Sequence, residues 1–234
     1  MTGTPLISVI VPTVPGREDH FGRCVAAYEA DAAEGGYDLD LIVEHDHPAV
    51  GYAWQAGGEK ARGDYLHFTN DDLVPHPGWA QPAVAAVNRG YIPAPQVYGP
   101  GGEPQAPPVW GRVGLDWTLL PRQHAAVVPF LSRQQWGKIR PLALIHYYAD
   151  DFITGRARAA GWPAVLRTGY AFTHHWATVR RGAGMTQDAR MAHDKQLYEQ
   201  AMQMCAAGQW TRPWPAAGEE VSGSLRAERG VSLM

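Results

Sequence analysis

Gly63-Asp64-Tyr65-Leu66-His67-Phe68-Thr69-Asn70-Asp71-Asp72-Leu73-Val74-Pro75-His76-Pro77-Gly78-Trp79 places an apolar run directly before a cluster of acids. Residues 64–69 have the composition of a short buried strand. Tyr, Leu, Phe and Thr suit a pleated surface, and Gly63 marks its start. The strand runs directly into an amide and two adjacent carboxylates, Asn70, Asp71 and Asp72. Pro75, Pro77 and Gly78 predict the end of regular pairing. Ligands of open α/β sheets bind at the carboxyl ends of strands. Hard oxygen donors there suit Mg²⁺ or Mn²⁺, which bridge protein carboxylates to substrate phosphates. A solvated Asn-Asp turn is the plain alternative for acids after a strand. The flanking segments weigh against it.

Upstream, Leu6-Ile7-Ser8-Val9-Ile10-Val11 is a β-branched run that reads as a first, central strand. Pro12 to Arg17 form the loop at its end. Phe21, Cys24, Val25 and Tyr28 at helical spacing predict a helix over about 19–34. Leu39 to Glu44 read as a second strand, followed by the loop His45-Asp46-His47-Pro48. A second helix is predicted over 51–62, weakened by Gly57 and Gly58. This β-α-β-α-β order predicts right-handed crossovers and a mostly parallel sheet flanked by helices in an α/β domain. The three strands each deliver polar residues at their carboxyl ends: Thr13 and Arg17, then Glu44 and Asp46, then Asn70 to Asp72.

Downstream, residues 79–89 predict a helix and Pro93 to Tyr98 a strand. Residues 99–108, rich in Gly and Pro, read as a surface loop. Val109 to Leu120 read as irregular or strand-like. Ala125 to Leu131 predict a strand in which Pro129 marks an edge or bulge. Ser132 fits the N-cap of a short helix through Trp136. Tyr148-Ala149-Asp150-Asp151 opens a helix that stops at Gly161. Acids at a helix start also favour its dipole, which is a purely structural use for this pair. Ala164 to Thr173 read as a last strand, leading into His174 and His175. Arg180 to Gly184 form a basic loop, expected, like 99–108, to order on ligand binding. Residues 186–206 predict a helix with Met191, Leu197, Tyr198, Ala201 and Met204 facing the core. The expected organisation is a single domain over 1–210 with a poorly ordered tail over 211–234.

Of the 234 residues, 45% are hydrophobic and 18% charged, as in a globular domain. The formal net charge of -3 offers no footprint for nucleic acid or an anionic membrane. Cys24 and Cys205 make neither a disulfide framework nor a zinc motif, which suits a reducing compartment. The apolar stretch Leu6 to Val11 has no basic lead and is too short for a signal or a span. A cytoplasmic location and no membrane span are expected.

Four segments in order resemble the family 2 glycosyltransferases, whose nucleotide-sugar-binding domain has the GT-A fold. Ile7 to Thr13 resembles the family's opening strand, with Arg17 after it. Lys60-Ala61-Arg62-Gly63-Asp64-Tyr65-Leu66 resembles the approach to its D-x-D strand. Asn70-Asp71-Asp72 stands where that motif falls, followed by Pro77-Gly78-Trp79. Tyr148 to Asp151, with Arg156, Arg158 and Gly161, resembles its acidic motif and basic helix. The chain departs from the pattern at Asn70, at Glu44-His45-Asp46 and at Ala149.

The resemblance implies a metal-dependent inverting transfer of a sugar from a nucleotide-sugar donor, UDP-linked, to an acceptor hydroxyl on a glycan, protein or small molecule. It implies Mn²⁺ or Mg²⁺ on Asp72, with His174 or His175 as a further ligand. It implies a nucleotide site among Pro12, Thr13, Arg17, Glu44, Asp46, Arg62, Asn70 and Asp71. The general base is Asp150 or Asp151, and the family's spacing back from Gly161 favours Asp150. Trp79, Trp110 and Trp117 are sugar-stacking candidates, although core packing suits each better. His45, His47, His67 and His76 lack a zinc spacing. Two other readings remain: a nucleotide- or carbohydrate-binding module without turnover, kept open by Asn70 and Ala149, and a sugar-phosphate nucleotidyltransferase. The latter lacks a Gly-rich phosphate loop after the first strand.

Overall fold

The structure is a computed structural model that describes residues 3–104, 117–119, 125–175 and 186–210. Expectations for residues 105–116, 176–185 and 211–234, including Trp110, the basic loop and the tail, lie outside these. The first sheet has the order β2-β1-β3-β7, from β1 (Leu6–Thr13), β2 (Asp38–His45), β3 (Tyr65–Phe68) and β7 (Phe130–Ser132). β1 pairs in parallel with β2 and β3, and β7 runs antiparallel to β3. β1 is central because it is apolar on both faces: Ile7, Val9, Ile10 and Val11 are all fully buried. The crossovers are α1 (Glu18–Gly35) and α2 (Val50–Lys60).

The chain leaves this sheet after Phe68 and enters a second one within four residues. That sheet has the order β4-β8-β5, from β4 (Leu73–Pro75), β5 (Ile92–Tyr98) and β8 (Ala164–His174), with β6 (Trp117–Leu119) also paired to β8. β5 is parallel to β8, whereas β4 and β6 are antiparallel to it. The β5–β8 register shifts between Ala94 and Gln96, where Gly169 takes a φ of 83° that favours glycine. The α/β class and the parallel pairing of the first three strands are as expected; the division into two sheets is new. Pro75 does not precede the end of pairing but closes β4, opposite Phe172. β4 is an edge strand, where a residue without an N–H is tolerated.

The remaining helices are α3 (Ala80–Asn88), α4 (Arg133–Ile139), α5 (Ala149–Ala159) and α6 (Gln187–Ala206). Ser132 caps α4 in a full capping box with Gln135. Residues 125–129 are not a strand. Their backbone is satisfied in part by side chains: Thr154 Oγ1 accepts from the Ala126 N–H and Tyr170 donates to the Val128 carbonyl, while the Pro129 carbonyl accepts from the Phe68 N–H. On α6, Leu197 and Ala201 are buried, but Met191 is 38% exposed and faces away from the core.

Gly57 and Gly58 are not simply weak points of α2. A Cβ on Gly57 would stand 2.4 Å from Ile10 Cγ2, and one on Gly58 would stand 2.5 Å from the Trp136 ring. The missing side chains let α2 lie directly on β1 at Gly57 and close against Trp136 of α4 at Gly58. Gly57→Ala would gain about 1 kcal/mol of helix propensity. Overpacking a stiff β-branched neighbour costs about 1–3 kcal/mol, so overpacking should win. Urea denaturation should show Gly57→Ala less stable than wild type by up to about 2 kcal/mol; a variant of higher stability would contradict this packing.

Candidate active site

The connector Thr69-Asn70-Asp71-Asp72 bridges the two sheets, and its backbone is held at each step. The Thr69 N–H donates to Ile10, the Thr69 carbonyl accepts from Trp54 Nε1 at 2.9 Å, and Leu73 N–H donates to Asn70. The antiparallel register of β4 and β8 places Leu73 opposite His174, and the His175 N–H continues the ladder to the Asp72 carbonyl at 2.8 Å. Asp72 and His174 therefore meet: His174 Nε2 lies 3.6 Å from Asp72 Oδ2. His175 reaches Asp72 through its backbone. Its ring is held below the usual histidine range by burial and by Arg23 and His20.

Arg17 completes this centre from the end of the first loop. Its Nε donates to Asp71 Oδ2 at 2.8 Å and its Nη2 to Asp71 Oδ1. The same Nη2 lies 3.1 Å from Asp72 Oδ2. Thr13 Oγ1 also donates to Asp71, at 2.8 Å. Thr13, Arg17, Asp71 and Asp72 are all buried. Burial pushes the Asp72 carboxyl up, but hydrogen bonding and charge from His174 and Arg17 outweigh it and hold the group below the usual carboxylate range. Arg17, Thr13 and Asp71 thus spend their polar atoms largely on one another, behind Asp72.

The other candidates for the nucleotide divide into two sets. Pro12 and Asn70 are half-buried beside this centre. Asp46 is exposed at φ 57°, and its N–H points to the Thr13 carbonyl at 3.4 Å, so the first two loops adjoin. Glu44 is buried and paired with Lys60 at 2.7 Å and His47 at 2.9 Å. Arg62 is elsewhere. Its guanidinium is 2.6 Å from Asp40, its N–H donates to Ser8 Oγ, and it precedes β3 at the amino end of the sheet. Five strand residues, about 17 Å, separate Ser8 from Thr13. Arg62 therefore stands at the opposite edge, where it fastens β2 and β1.

The acidic pair opens α5. Tyr148 precedes it with φ 63° and no side-chain cap. The segment before it is drawn to the carboxyl side of the first sheet. Gly51, at the start of α2, donates its N–H to Ile145 at 2.9 Å, and a Cβ there would stand 2.4 Å from the Ala143 carbonyl. The pair thus lies at the sheet end that carries Thr13 and Asn70. Burial and the neighbouring charge of Asp151 push Asp150 up to about 7, against the helix's own first N–H groups. A carboxyl titrating near neutrality suits proton transfer. Asp194, on α6, accepts from the N–H groups of His146 and Tyr147. Sequence reasoning missed it, although it lies three, four and seven residues before Leu197, Tyr198 and Ala201, on the apolar face of the helix.

Two donors, one carboxylate oxygen and one imidazole nitrogen, converge at Asp72 and His174. Among the described residues no three His, Cys, Asp or Glu side chains gather around one point. That donor set fits a Mg²⁺ or Mn²⁺ ion that takes its remaining ligands from substrate phosphates and water, which is how such ions are commonly held. Trp79 is fully buried and touches Tyr28, Tyr37, His67 and Phe130, so it packs the core rather than a sugar. His67 is fully buried between Tyr28 and Tyr170, and burial lowers it to about 3, which keeps it neutral. Among the described residues no helix is long and apolar enough to cross a membrane.

Residues 16–134, just over half of the chain, match the model of the family described as Glycosyl transferase family 2. No curated protein matches the chain. Among solved structures it is similar to the catalytic domain of Drosophila beta1,4galactosyltransferase 7, solved in complex with xylobiose. That likeness has a TM-score of 0.52 at 13% identity and covers 84% of this chain and 80% of the other. At such identity it speaks to the fold, which is that of a GT-A glycosyltransferase. The family match spans the loop of Arg17 and the two-sheet connector, and with the strand topology it leads to one conclusion: the chain belongs to glycosyl transferase family 2.

Proposed function

We propose that this glycosyltransferase moves a sugar from a UDP-linked donor to an acceptor hydroxyl, with inversion at the anomeric carbon and with Mn²⁺ or Mg²⁺ on Asp72 and His174. The observation that carries the reading is the meeting of Asp72 and His174 at the crossover between the sheets, 3.6 Å apart and backed by Arg17. The cation, when bound, supplies positive charge where the diphosphate leaves. Asp72 stays ionised to hold it, because Arg17 and His174 favour the charged carboxylate. Pro12, Asn70 and Asp46 line the donor side.

Asp150 is the general base. It takes the proton of the acceptor hydroxyl as that oxygen bonds to the anomeric carbon and the carbon–phosphate oxygen bond breaks, with the electron pair leaving on the diphosphate. A single in-line displacement inverts the centre. Asp150 and Asp151 are about 100° apart around the helix, so one of them faces the acceptor.

Asp72→Ala should remove the gain in UDP affinity that Mn²⁺ provides, measured by titration calorimetry with and without the ion. An equal gain in wild type and variant would overturn the metal assignment. Asp150→Asn should keep Mn²⁺-linked UDP affinity and lose about 10²–10⁴-fold in transfer, whereas Asp151→Asn should lose far less. If both keep near-normal transfer, the base is another group.

The rate of wild-type transfer should rise with pH through about 7, since only the ionised Asp150 accepts a proton. That limb should vanish in Asp150→Asn. Stability should move the other way. The folded pKa lies above the ordinary carboxylate value, so the folded state binds more protons, and the group's contribution falls as pH rises from about 4 to about 7. The melting temperature of Asp150→Asn relative to wild type should therefore be higher at pH 8 than at pH 4. A gap that does not change with pH would contradict the raised titration.

A further inference from the structure

Asp194 is an acid on the apolar face of α6, 1% exposed. Its Oδ2 accepts the N–H groups of His146 and Tyr147 at 3.1 and 3.0 Å. His193 Nδ1 lies 3.2 Å from its Oδ1, and Arg190 Nε 3.8 Å from its Oδ2. Two successive backbone N–H groups thus converge on one carboxylate oxygen, and the residue after them, Tyr148, is left-handed at φ 63°. Their acceptor is a side chain on α6, 48 and 47 residues further on.

Immediately beyond that turn α5 begins, and Asp150 is its second residue. Tyr148 offers the helix no side-chain cap, and a left-handed bulky residue persists only where its surroundings over-determine it. Those surroundings include the Tyr198 ring of α6, stacked on Tyr148 with centroids 5.7 Å apart, Asp194 on the amides just before it and the Gly51–Ile145 bond. Arg190, one turn before Asp194, donates to the Pro48 carbonyl at 3.3 Å. The same face of α6 thus fastens the turn ahead of the base and the loop after β2.

We propose that Asp194 is a positioning residue for transfer: it clamps the 146–148 turn, and through that turn sets where the Asp150 carboxylate meets the acceptor hydroxyl. The inference rests on Asp150 being the base. An ionised acceptor suits the task, because charge-assisted hydrogen bonds are about twice as strong as neutral ones. Asn at 194 keeps the shape and one acceptor oxygen but loses that strength.

The test combines kinetics with amide exchange on full-length wild type, Asp194→Asn and Asp194→Ala. Asp194→Asn should lower kcat for transfer by about 10–100-fold, the scale of a displacement of about 1 Å, and leave donor KM and Mn²⁺-linked UDP affinity within about twofold. The amides of His146 and Tyr147 should be protected in wild type and exchange faster in both variants, with those of β1 and β3 unchanged. Unprotected amides at 146 and 147 in wild type would overturn the clamp whether or not either variant folds. Faster exchange there with normal kcat would overturn the coupling to chemistry. Loss of kcat together with donor affinity and β1 protection would assign Asp194 to general stability instead. If Asp150→Asn keeps transfer while Asp194→Asn loses it, the base assignment fails and the clamp stands.

Discussion

The Arg17 guanidinium lies between the carboxylates of Asp71 and Asp72 where the two sheets part, and the site depends on it. Two adjacent buried acids repel each other, and without a cation one would stay protonated or the connector would swing out to water. Arg17 is the residue immediately before α1, so the same contact ties the start of that helix to the connector. Its fork takes both oxygens of Asp71, a geometry that a lysine does not reproduce. Asp71 is thereby taken up by structural contacts, whereas Asp72 is the acid that meets His174, although the two are neighbours in the chain.

The site uses carboxylates in two opposite electrostatic settings. Asp72 is buried but faces Arg17 and His174, which keep it ionised. Asp150 is pushed up by burial and by Asp151. The first setting suits a carboxylate that stays charged beside a cation. The second suits accepting a proton near neutrality. Placing the two at different element ends lets each environment be set independently: one by strand register between β4 and β8, the other by a helix start clamped from α6.

Part of the chain's aromatic content forms a seam between the sheets. His67 on β3 stacks with Phe172 on β8 at 5.4 Å, and Trp79 sits against both. Tyr28 and Tyr170 give His67 its polar partners, so a buried imidazole is satisfied without charge.

From sequence alone, the β-branched run of β1, the helical spacing of α1 and the acids after β3 were legible, because each is a pattern within a few residues. So were the capping of α4 by Ser132 and the acidic start of α5. The candidate site was legible as a set of strand ends and a helix start. The partners were not. Nothing local says that Arg17 spends itself on Asp71, that Glu44 is taken by Lys60 and His47, or that Arg62 serves Asp40 at the far edge of the sheet. The choice of His174 to face Asp72 depended on antiparallel register with β4, and the clamp by Asp194 on a contact across 48 and 47 positions. Residue type and spacing declare what a side chain can do. Which charge it meets is decided by strand pairing and helix docking, and those bring together groups that the chain keeps far apart.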